Sequence, residues 1–348
     1  MGKNMVFVCD HLYGGGSERV FSMIANKYCE FGNTVTIIVL NDGKRNPLNE
    51  KITVVDLSVF HGHVSIMQGI REIVRKLAPE YVISFEYYVN IITLLACKGL
   101  STKVIVSERN DPSRVGNAFP KRLLRNYTYR SAFKLVCQTQ EAKDYFPISV
   151  RKKAVVIPNP INEDLPQPYM GKREHCIISF CRLHEQKNLP MLIDGFLEFK
   201  KIFTDYHLDI YGDGEEKEYL IQYIHEKQSE KCIHLYPATN NIHEIARTKA
   251  MFISTSDYEG LSNSMLEALA IGLPTVCTDC PCGGARMIIK DGENGRLIKV
   301  GDVQQLTKVM IEIASDEKLA QSYSNNSIKI RNLLSLDNII KKWESITL

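Results

Sequence analysis

Short apolar runs rich in β-branched residues alternate along the chain with segments in which apolar residues recur at helical spacing. Runs of the first kind include MVFVC (5–9), TVTIIVL (34–40) and KVIVS (103–107), and SIMQGIREIVRKLA (65–78) is of the second kind. Apolar runs bounded by turns are typical of strands that are buried on both faces of a parallel sheet. The first part of the sequence therefore predicts a doubly wound α/β domain.

The alternation stops at a proline-rich segment and then starts again. PNPINEDLPQPYMGKRE (158–174) contains four prolines and no periodicity, and proline interrupts both helices and sheet ladders. Strand-like runs return after it, beginning with CIISFC (176–181). We predict two Rossmann-like domains that face each other across a cleft, with ligands at the carboxyl ends of the strands. The predicted parts are an N-terminal domain over 1–163, a C-terminal domain over 164–330, and a C-terminal helix over 331–348 that packs back towards the N-terminal domain.

Composition places the chain among ordinary globular proteins. Its 348 residues are 44% hydrophobic and 24% charged, and they are enough for two domains. The sequence contains no apolar run long enough to span a membrane and begins with a strand pattern rather than a signal peptide. The ten cysteines follow no regular framework, and the C-x-C at 280–282 lacks a second pair at zinc spacing. We therefore expect a cytoplasmic protein without a metal site.

Charge is distributed unevenly along the chain. Residues 1–170 carry 22 Lys and Arg against 15 Asp and Glu, a net charge of +7. Residues 171–348 carry 21 against 25, a net charge of −4. The asymmetry indicates that the first half faces an anionic partner, although a chance distribution of solvated charges would look the same. The near balance of the whole chain, at +3, argues against nucleic acid as that partner.

Two glutamates flank the start of a predicted helix in SDYEGLSNSMLEALAIGLPTV. Glu259 precedes the helix, and Glu267 lies one turn inside it. Ser262 or Asn263 is suited to the N-cap and Gly272 to the position just after the helix. Free N–H groups at such an N-terminus bind anions, and a diphosphate is a natural ligand. The helix dipole alone could explain Glu267 but does not explain Glu259.

Further residues for a phosphate site follow neighbouring strands. Gly283 and Gly284 open the next helix and allow close approach of a ligand to the backbone. Arg182 and Lys187 stand in the loop after CIISFC, and their charges suit a diphosphate leaving group. Two surface cations in a polar loop are the alternative. A carboxylate beside a phosphate site commonly binds ribose hydroxyls, so the pattern predicts a nucleotide site.

Five motifs together resemble the retaining GT-B glycosyltransferases of family 4. They are YGGGSERV, the R…K loop after IISFC, IYGDG, EGLSNSMLE with its E-x7-E spacing, and CPCGGARMII. The SERNDP stretch resembles enzymes that extend lipid-linked oligosaccharides in bacterial surface-glycan pathways. The resemblance covers nearly the whole chain. It implies a nucleotide-sugar donor, with UDP as the expected nucleotide, in the C-terminal domain and an acceptor held mainly by the N-terminal domain.

Family roles can be carried over to this sequence residue by residue. Arg182 and Lys187 would hold the diphosphate, Glu267 would bind the ribose hydroxyls, and Glu259 would contact the transferred sugar. No D-x-D triplet occurs in the sequence, so side chains rather than a metal ion are expected to neutralise the diphosphate, and no cofactor is expected. The other expected donor-binding positions are Gly15, Gly16, Leu261, Ser262, Asn263, Gly283 and Gly284.

The N-terminal domain supplies candidates for catalysis and acceptor binding. Glu108 follows the KVIVS strand and is a candidate polar group near the anomeric carbon, or alternatively a loop carboxylate paired with Arg109. AFPKRLLRNYTYRSAFK mixes cations with aromatic residues and has Pro120 at a helix start. Such a helix suits an anionic bilayer or a polyprenyl diphosphate, but a core stripe with solvated cations is equally compatible. The expected acceptor or membrane contacts are Arg109, Lys121, Arg122 and Arg125.

The resemblance, together with the missing D-x-D triplet, thus implies a retaining, metal-independent transferase at the cytoplasmic face of the inner membrane. It would move a hexose or N-acetylhexosamine from a UDP-sugar to a polyprenyl-diphosphate-linked glycan. A non-catalytic partner that binds nucleotide sugars is the alternative, against which the intact Arg182, Lys187, Glu259 and Glu267 argue. A nicotinamide-dependent oxidoreductase is disfavoured, because Arg19 stands where G-x-G-x-x-G requires its last glycine.

Overall fold

The computed structural model describes residues 2–41, 43 and 46–347 and divides the chain into two compact units. Unit 1 comprises Met1–Pro160 and Leu336–Leu348, and unit 2 comprises Ile161–Ser335. The division falls three residues before the predicted boundary at 163. The C-terminal segment that belongs to unit 1 starts at Leu336, whereas the prediction started it at 331.

Unit 1 is built on a seven-stranded sheet in which every pairing is parallel. Its strands are β1 (Asn4–Cys9), β2 (Thr34–Val39), β3 (Thr53–Asp56), β4 (Tyr81–Phe85), β5 (Lys103–Ser107), β6 (Lys134–Cys137) and β7 (Ala154–Val156). They lie in the order β3-β2-β1-β4-β5-β6-β7. The helices of this unit are α1 (Gly16–Glu30), α2 (His63–Leu77), α3 (Tyr87–Ala96), α4 (Lys121–Tyr129), α5 (Gln140–Asp144), α6 (Ile148–Arg151) and, after unit 2, α15 (Leu336–Glu344).

Unit 2 repeats the arrangement with six parallel strands. They are β8 (Glu174–Phe180), β9 (His207–Tyr211), β10 (Ile233–Tyr236), β11 (Lys249–Ser254), β12 (Thr275–Thr278) and β13 (Arg296–Ile298), in the order β10-β9-β8-β11-β12-β13. The helices are a 3-10 turn (Glu185–Lys187), α7 (Leu189–Lys200), α8 (Lys217–Glu226), α9 (Ile242–Ala246), α10 (Asn263–Ala270), α11 (Gly284–Ile288), α12 (Val303–Ser315), α13 (Glu317–Ser327) and α14 (Ile330–Leu333).

The strand orders confirm the predicted pair of doubly wound, Rossmann-like sheets. In each unit the first strand has the second strand on one side and the fourth on the other, so the chain reverses its direction of winding there. Ligands of such sheets bind at the carboxyl ends of the strands on either side of this switch point. The switch point lies between β1 and β4 in unit 1 and between β8 and β11 in unit 2.

Helix α15 joins unit 1 although it follows all of unit 2 in sequence. Its Trp343 is fully buried and stacks on Phe85 at the end of β4, with ring centroids 5.8 Å apart. The Tyr28 and Thr347 hydroxyls lie 3.1 Å apart and tie the end of the chain to α1. Burial of a tryptophan is a large apolar contribution, so this helix is part of the core of unit 1.

None of the helices in the described residues is both long enough and apolar enough to cross a membrane.

Candidate functional site

The switch point of unit 2 collects the predicted donor residues on adjacent loops. Arg182 and Lys187 follow β8, and Glu259 follows β11, the strand paired with β8. Because both strands end at the same edge of the sheet, residues 72 positions apart in sequence come into contact.

Lys187 and Glu259 form a mostly buried ion pair at this edge. The Lys187 ammonium contacts Glu259 Oε1, which also accepts a hydrogen bond from the Ser256 hydroxyl at 3.0 Å. The side chains are only 16% and 15% exposed. Burial lowers the pKa of Lys187, but Glu259 together with Cys181 and Cys280 raises it, so the pKa lies above its ordinary value. Lys187 therefore remains a cation at neutral pH.

The loop that carries Lys187 is fastened to the loop after β11. Gln186 Nε2 donates to the Tyr258 carbonyl at 2.7 Å, and Asn188 Nδ2 donates to Asp257 Oδ1 at 2.8 Å. The Thr255 hydroxyl lies 3.0 Å from the carbonyl oxygens of residues 187 and 188 and donates to them. These bonds fix the lysine backbone, so the position of its charge is determined before any ligand binds.

Helix α10, whose start lies between the two glutamates, begins where the sequence predicts. Ser262 is the N-cap and accepts a hydrogen bond from the Met265 N–H at 3.4 Å, and Gly272 just after the helix has a φ of 71°. Glu267 is 6% exposed, and its Oε2 lies 2.9 Å from His243 Nε2. The imidazole therefore holds this carboxylate in one orientation within unit 2.

The glycine pair allows two backbone segments to approach each other. A Cβ on Gly284 would lie 1.8 Å from the Gly260 carbonyl oxygen. Gly283 has a φ of 70°. Cys282 before it is also left-handed, with a φ of 77°. Such strained backbone persists only where the surrounding structure enforces it and is common at ligand-binding loops. The glycines thus bring the start of α11 against the loop that precedes α10.

Arg182 differs from Lys187 in its surroundings. Its side chain is 70% exposed, and Nη2 lies 3.2 Å from Glu215 Oε2. The same carboxylate lies 3.3 Å from His184 Nε2. An exposed pair of this kind contributes little stability. The arginine is therefore available to exchange its carboxylate partner for an anionic ligand.

Unit 1 carries a second charged group at its own switch point. The loop after β1 leads through Gly15, the N-cap of α1, to Gly16, its first residue. His11 in this loop lies 3.1 Å from Asp10 Oδ2 and 3.3 Å from Glu18 Oε1. These three side chains line a small cavity together with Glu86 from the end of β4.

Glu86 directly follows β4, and Arg109 lies two residues after the adjacent strand β5. Glu86 has a φ of 74°, a conformation that non-glycine residues rarely adopt. Burial and the neighbouring Glu18 carboxylate raise the pKa of Glu86 to about 7. Burial lowers the pKa of Arg109 to about 9, while its Nη2 donates to Asn159 Oδ1 at 2.5 Å and its guanidinium lies over the Phe85 ring.

Two predicted N-terminal site residues are placed differently from the expectation. Glu108 is 3% exposed and accepts a hydrogen bond from the Tyr129 hydroxyl at 2.5 Å; no pairing with Arg109 is seen among the described contacts. Arg125 is fully buried, and its Nη1 donates to the carbonyl oxygens of residues 112 and 115 at 3.0 and 2.8 Å. The structure thus places both side chains in the interior of unit 1, whereas the sequence analysis expected Glu108 near the anomeric carbon and Arg125 among the acceptor or membrane contacts. These roles stay predictions. Arg125 supports the loop before α4, and Glu108 is bonded to the last residue of α4.

Lys121 and Arg122 are exposed, as the surface interpretation requires. Apolar side chains on the same stretch are exposed with them: Phe119 (76%), Leu123 (52%), Leu124 (47%) and Tyr127 (65%). We call these six residues the α4 face. An isolated exposed leucine is unremarkable, but a contiguous apolar patch with cations marks an interaction surface.

The sequence interpretation missed two polar residues of these sites. His243 lies in a short helix outside every motif and is recognised only through its contact with Glu267. Glu86 directly follows the apolar run YVISF, so the rule applied to Glu108, a polar residue at the carboxyl end of a strand, would also have selected it.

Two Rossmann-like sheets, with charged residues at the switch point of each, are the architecture of a GT-B glycosyltransferase. Residues 162–330 match the family of glycosyl transferases group 1, and residues 14–165 match glycosyltransferase family 4. The chain belongs to these glycosyltransferases, with a family 4 domain followed by a group 1 domain.

Several relatives of the chain are bacterial glycosyltransferases. An uncharacterized glycosyltransferase of Haemophilus influenzae is 25% identical, covering 99% of this chain and all of that protein. The amylovoran biosynthesis glycosyltransferase AmsD of Erwinia amylovora is 24% identical with 99% of both chains covered. The N-acetylgalactosamine-N,N'-diacetylbacillosaminyl-diphospho-undecaprenol 4-alpha-N-acetylgalactosaminyltransferase of Campylobacter jejuni is 28% identical over 68% of both chains.

Solved structures show the same fold at low sequence identity. HepE of Anabaena, in complex with UDP and glucose, has a TM-score of 0.84 at 16% identity, covering 99% of this chain and 98% of its own. Sucrose-phosphate synthase of Thermosynechococcus elongatus has a TM-score of 0.87 at 12% identity with the same coverage. Both likenesses confirm the predicted GT-B fold.

Proposed function

We propose that this protein is a retaining glycosyltransferase that moves a hexose or N-acetylhexosamine from a UDP-sugar to a polyprenyl-diphosphate-linked glycan. The observation that carries the proposal is the buried Lys187–Glu259 pair beside the N-terminus of α10. It provides a fixed cation and a candidate sugar-binding carboxylate beside a helix N-terminus at one edge of the sheet. A nucleoside diphosphate sugar carries an anionic diphosphate and sugar hydroxyls, which are complementary to a cation, a helix N-terminus and a carboxylate.

The leaving diphosphate is the group that this site is suited to stabilise. Glycosyl transfer passes through an oxocarbenium-like state while negative charge accumulates on the departing phosphate oxygen. Lys187, held in place by its loop, stabilises that charge without reorganisation, and Arg182 adds a forked donor from the surface. These two cations perform the role that a metal ion has in D-x-D enzymes, so transfer is metal-independent.

Glu267 and Glu259 bind the two hydroxyl-bearing parts of the donor. Glu267, oriented by His243, accepts hydrogen bonds from the ribose hydroxyls, and Glu259 accepts them from the transferred sugar. When the donor binds, the Lys187 ammonium shifts part of its interaction from Glu259 to the diphosphate. Retention follows from attack on the face that the diphosphate leaves, with the leaving phosphate oxygen taking the acceptor proton.

The choice of acceptor rests on relatives and on surface chemistry. One relative is named for amylovoran biosynthesis and another for an acceptor on diphospho-undecaprenol. The α4 face presents apolar side chains next to Lys121 and Arg122, which suits the interface of an anionic bilayer. We propose that unit 1 docks through this face on the cytoplasmic side of the inner membrane, where the lipid-linked acceptor is found.

A transfer assay with a donor panel tests the proposed function. The full-length protein is incubated with each of several UDP- and GDP-sugars, with and without a short polyprenyl-diphosphate-linked sugar. We expect one UDP-sugar to release UDP in an acceptor-dependent way. Release from a GDP-sugar alone would contradict the proposed nucleotide, and no acceptor-dependent release from any donor would contradict the proposed acceptor.

A further inference from the structure

A group of metal-ligating side chains lies in unit 2 at the sheet edge opposite the donor residues. Cys176 is the third residue of β8, His207 is the first residue of β9, and Asp209 is in the middle of β9. Cys176 is fully buried and Asp209 is 4% exposed. One sulfur, one nitrogen and one carboxylate oxygen of the three residues all lie within 4.8 Å of one another. A search of the described residues for three or more His, Cys, Asp or Glu side chains that could hold a metal ion finds this group.

Strand register explains why the three side chains converge. In the parallel β8–β9 pairing, Cys176 is the partner of His207. Side chains of a strand alternate between the two faces, so Asp209, two residues after His207, lies on the same face as both. The backbone ladder therefore holds the potential ligands, and they do not depend on a flexible loop.

The distances fit a tetrahedral zinc ion. Zinc binds sulfur at about 2.3 Å and nitrogen or oxygen at about 2.0–2.2 Å, so its ligand atoms lie roughly 3.3–3.6 Å apart. Cys176 Sγ lies 3.3 Å from Asp209 Oδ2, and His207 Nε2 lies 3.8 Å from the same oxygen. We propose that Cys176, His207 and Asp209 form a zinc-binding site in unit 2, distinct from the site of glycosyl transfer.

The neighbours of the group support a bound divalent cation. His234 Nδ1 lies 3.0 Å from Asp209 Oδ1 and so orients the carboxylate from behind, as the partners of metal ligands do. The His207 side chain is 36% exposed, which gives a water molecule access to the fourth position. A thiolate and a carboxylate balance the charge of Zn²⁺.

One cation stands close to the group, and its charge is already compensated. Lys249 Nζ lies 3.9 Å from Asp209 Oδ2 but only 2.7 Å from Glu174 Oε2. Because the lysine is paired with Glu174, the surroundings of the three ligands carry no net positive charge from this residue. The ion would connect β8 to β9 at the edge away from the donor residues. Its role is thus to stabilise unit 2, and it takes no part in the transfer reaction.

Cobalt substitution tests the site without any measurement of transfer activity. The full-length protein is treated with a chelator, exchanged into chelator-free buffer and titrated with Co²⁺. We expect one equivalent to produce a thiolate-to-cobalt charge-transfer band together with the visible bands of a tetrahedral site, and Zn²⁺ to abolish both. Zn²⁺ should also raise the melting temperature of the protein, since a ligand that binds only the folded state stabilises it.

Three variants assign the band to these residues. Cys176→Ser should abolish the charge-transfer band, and Asp209→Asn, which keeps the shape of the side chain, should weaken cobalt binding. His234→Gln should weaken it by roughly 10–100-fold, the usual effect of losing a partner of a metal ligand. Cys232→Ser is the matched control, because Cys232 is a half-buried cysteine of the same unit outside the group, and it should leave the band unchanged.

The result that overturns the proposal is equally definite. Absence of a band at stoichiometric Co²⁺, or a band that persists in folded Cys176→Ser, would show that this group does not bind the metal. A melting curve of each variant identifies those that have unfolded. If Cys176→Ser has unfolded, the cobalt titration of Asp209→Asn decides alone. Wild-type cobalt affinity in Asp209→Asn refutes the site.

Discussion

Replacing Lys187 with alanine should remove most of the transfer activity. The change deletes the fixed cation beside Glu259 and leaves Arg182, which is mostly exposed, as the remaining predicted charge for the diphosphate. Loss of one preorganised group that stabilises charge in the transition state costs about 2.7–4 kcal/mol, or roughly 10²–10³ in kcat. We therefore expect a loss of turnover of that size, together with weaker binding of the nucleotide sugar.

The same substitution also affects folding, and the two effects must be separated. Breaking a buried ion pair costs about 3–5 kcal/mol because the remaining charge is uncompensated. Glu259 keeps its hydrogen bond from Ser256 and some solvent exposure, so we expect a value near the lower end, about 3 kcal/mol. For a unit of this size that lowers the melting temperature by roughly 6–12 °C.

The assay follows UDP release at a temperature well below the melting transition of the variant. Lys201→Ala is the control: Lys201 is an exposed lysine of the same unit that pairs with Glu198, and its loss should change neither stability nor turnover appreciably. Near-wild-type turnover in folded Lys187→Ala would remove Lys187 from the mechanism. A loss of turnover that only tracks the unfolded fraction would refute the argument in the same way.

Three further predictions concern the pH response, the membrane and metal ions. Because burial raises the pKa of Glu86 to about 7 from 4.5 in the unfolded chain, its protonated form stabilises the fold at low pH and this contribution is lost as pH rises through 7. The free energy of unfolding of Glu86→Gln, measured with urea, should therefore exceed that of the wild type by up to about 3 kcal/mol at pH 8 and by little at pH 4.5. An equal increase at both pH values would contradict this. Replacing Lys121 and Arg122 with Gln should weaken binding to anionic vesicles in a sedimentation assay by up to about 30-fold, at about 1 kcal/mol per cation. The same change at Lys201 and Lys318, two exposed lysines of unit 2, should leave vesicle binding unchanged. Equal binding by the two double variants would exclude the α4 face as the membrane-docking surface. Added Mg²⁺ or Mn²⁺ should change the rate of transfer little, and a strict requirement for either would show that the two cations are insufficient.

The fold was predictable because buried parallel strands have a strong local signature. The described residues form thirteen strands, and the apolar runs MVFVC, TVTIIVL, KVIVS and CIISFC fall on β1, β2, β5 and β8. Helix α3 was not identified, since seven of its ten residues are buried and it lacks the polar face by which a surface helix is recognised. Its sequence, YYVNIITLLA, is as apolar as a strand, so periodicity alone does not separate the two.

The site was predictable in its residue types but not in its contacts. Chain order indicated that Lys187 and Glu259 follow neighbouring strands, but their direct pairing depends on loop structure that no local pattern encodes. Arg125 lies three and four residues after two exposed cations, and helical spacing alone would place it on their face. It is buried because carbonyl groups of the preceding loop and the rings of Tyr145 and Phe146 surround its guanidinium.

The mass and anomeric configuration of the product test the central claim most directly. A polyprenyl-diphosphate-linked sugar is incubated with the protein and the UDP-sugar that the donor panel selects, and the lipid-linked product is analysed by mass spectrometry and proton NMR. The account predicts an increase by one hexose or one N-acetylhexosamine, joined in the same anomeric configuration as in the donor. An unchanged acceptor mass, with the donor bound or hydrolysed only, would contradict transfer to a lipid-linked glycan, and an inverted linkage would contradict the retaining mechanism.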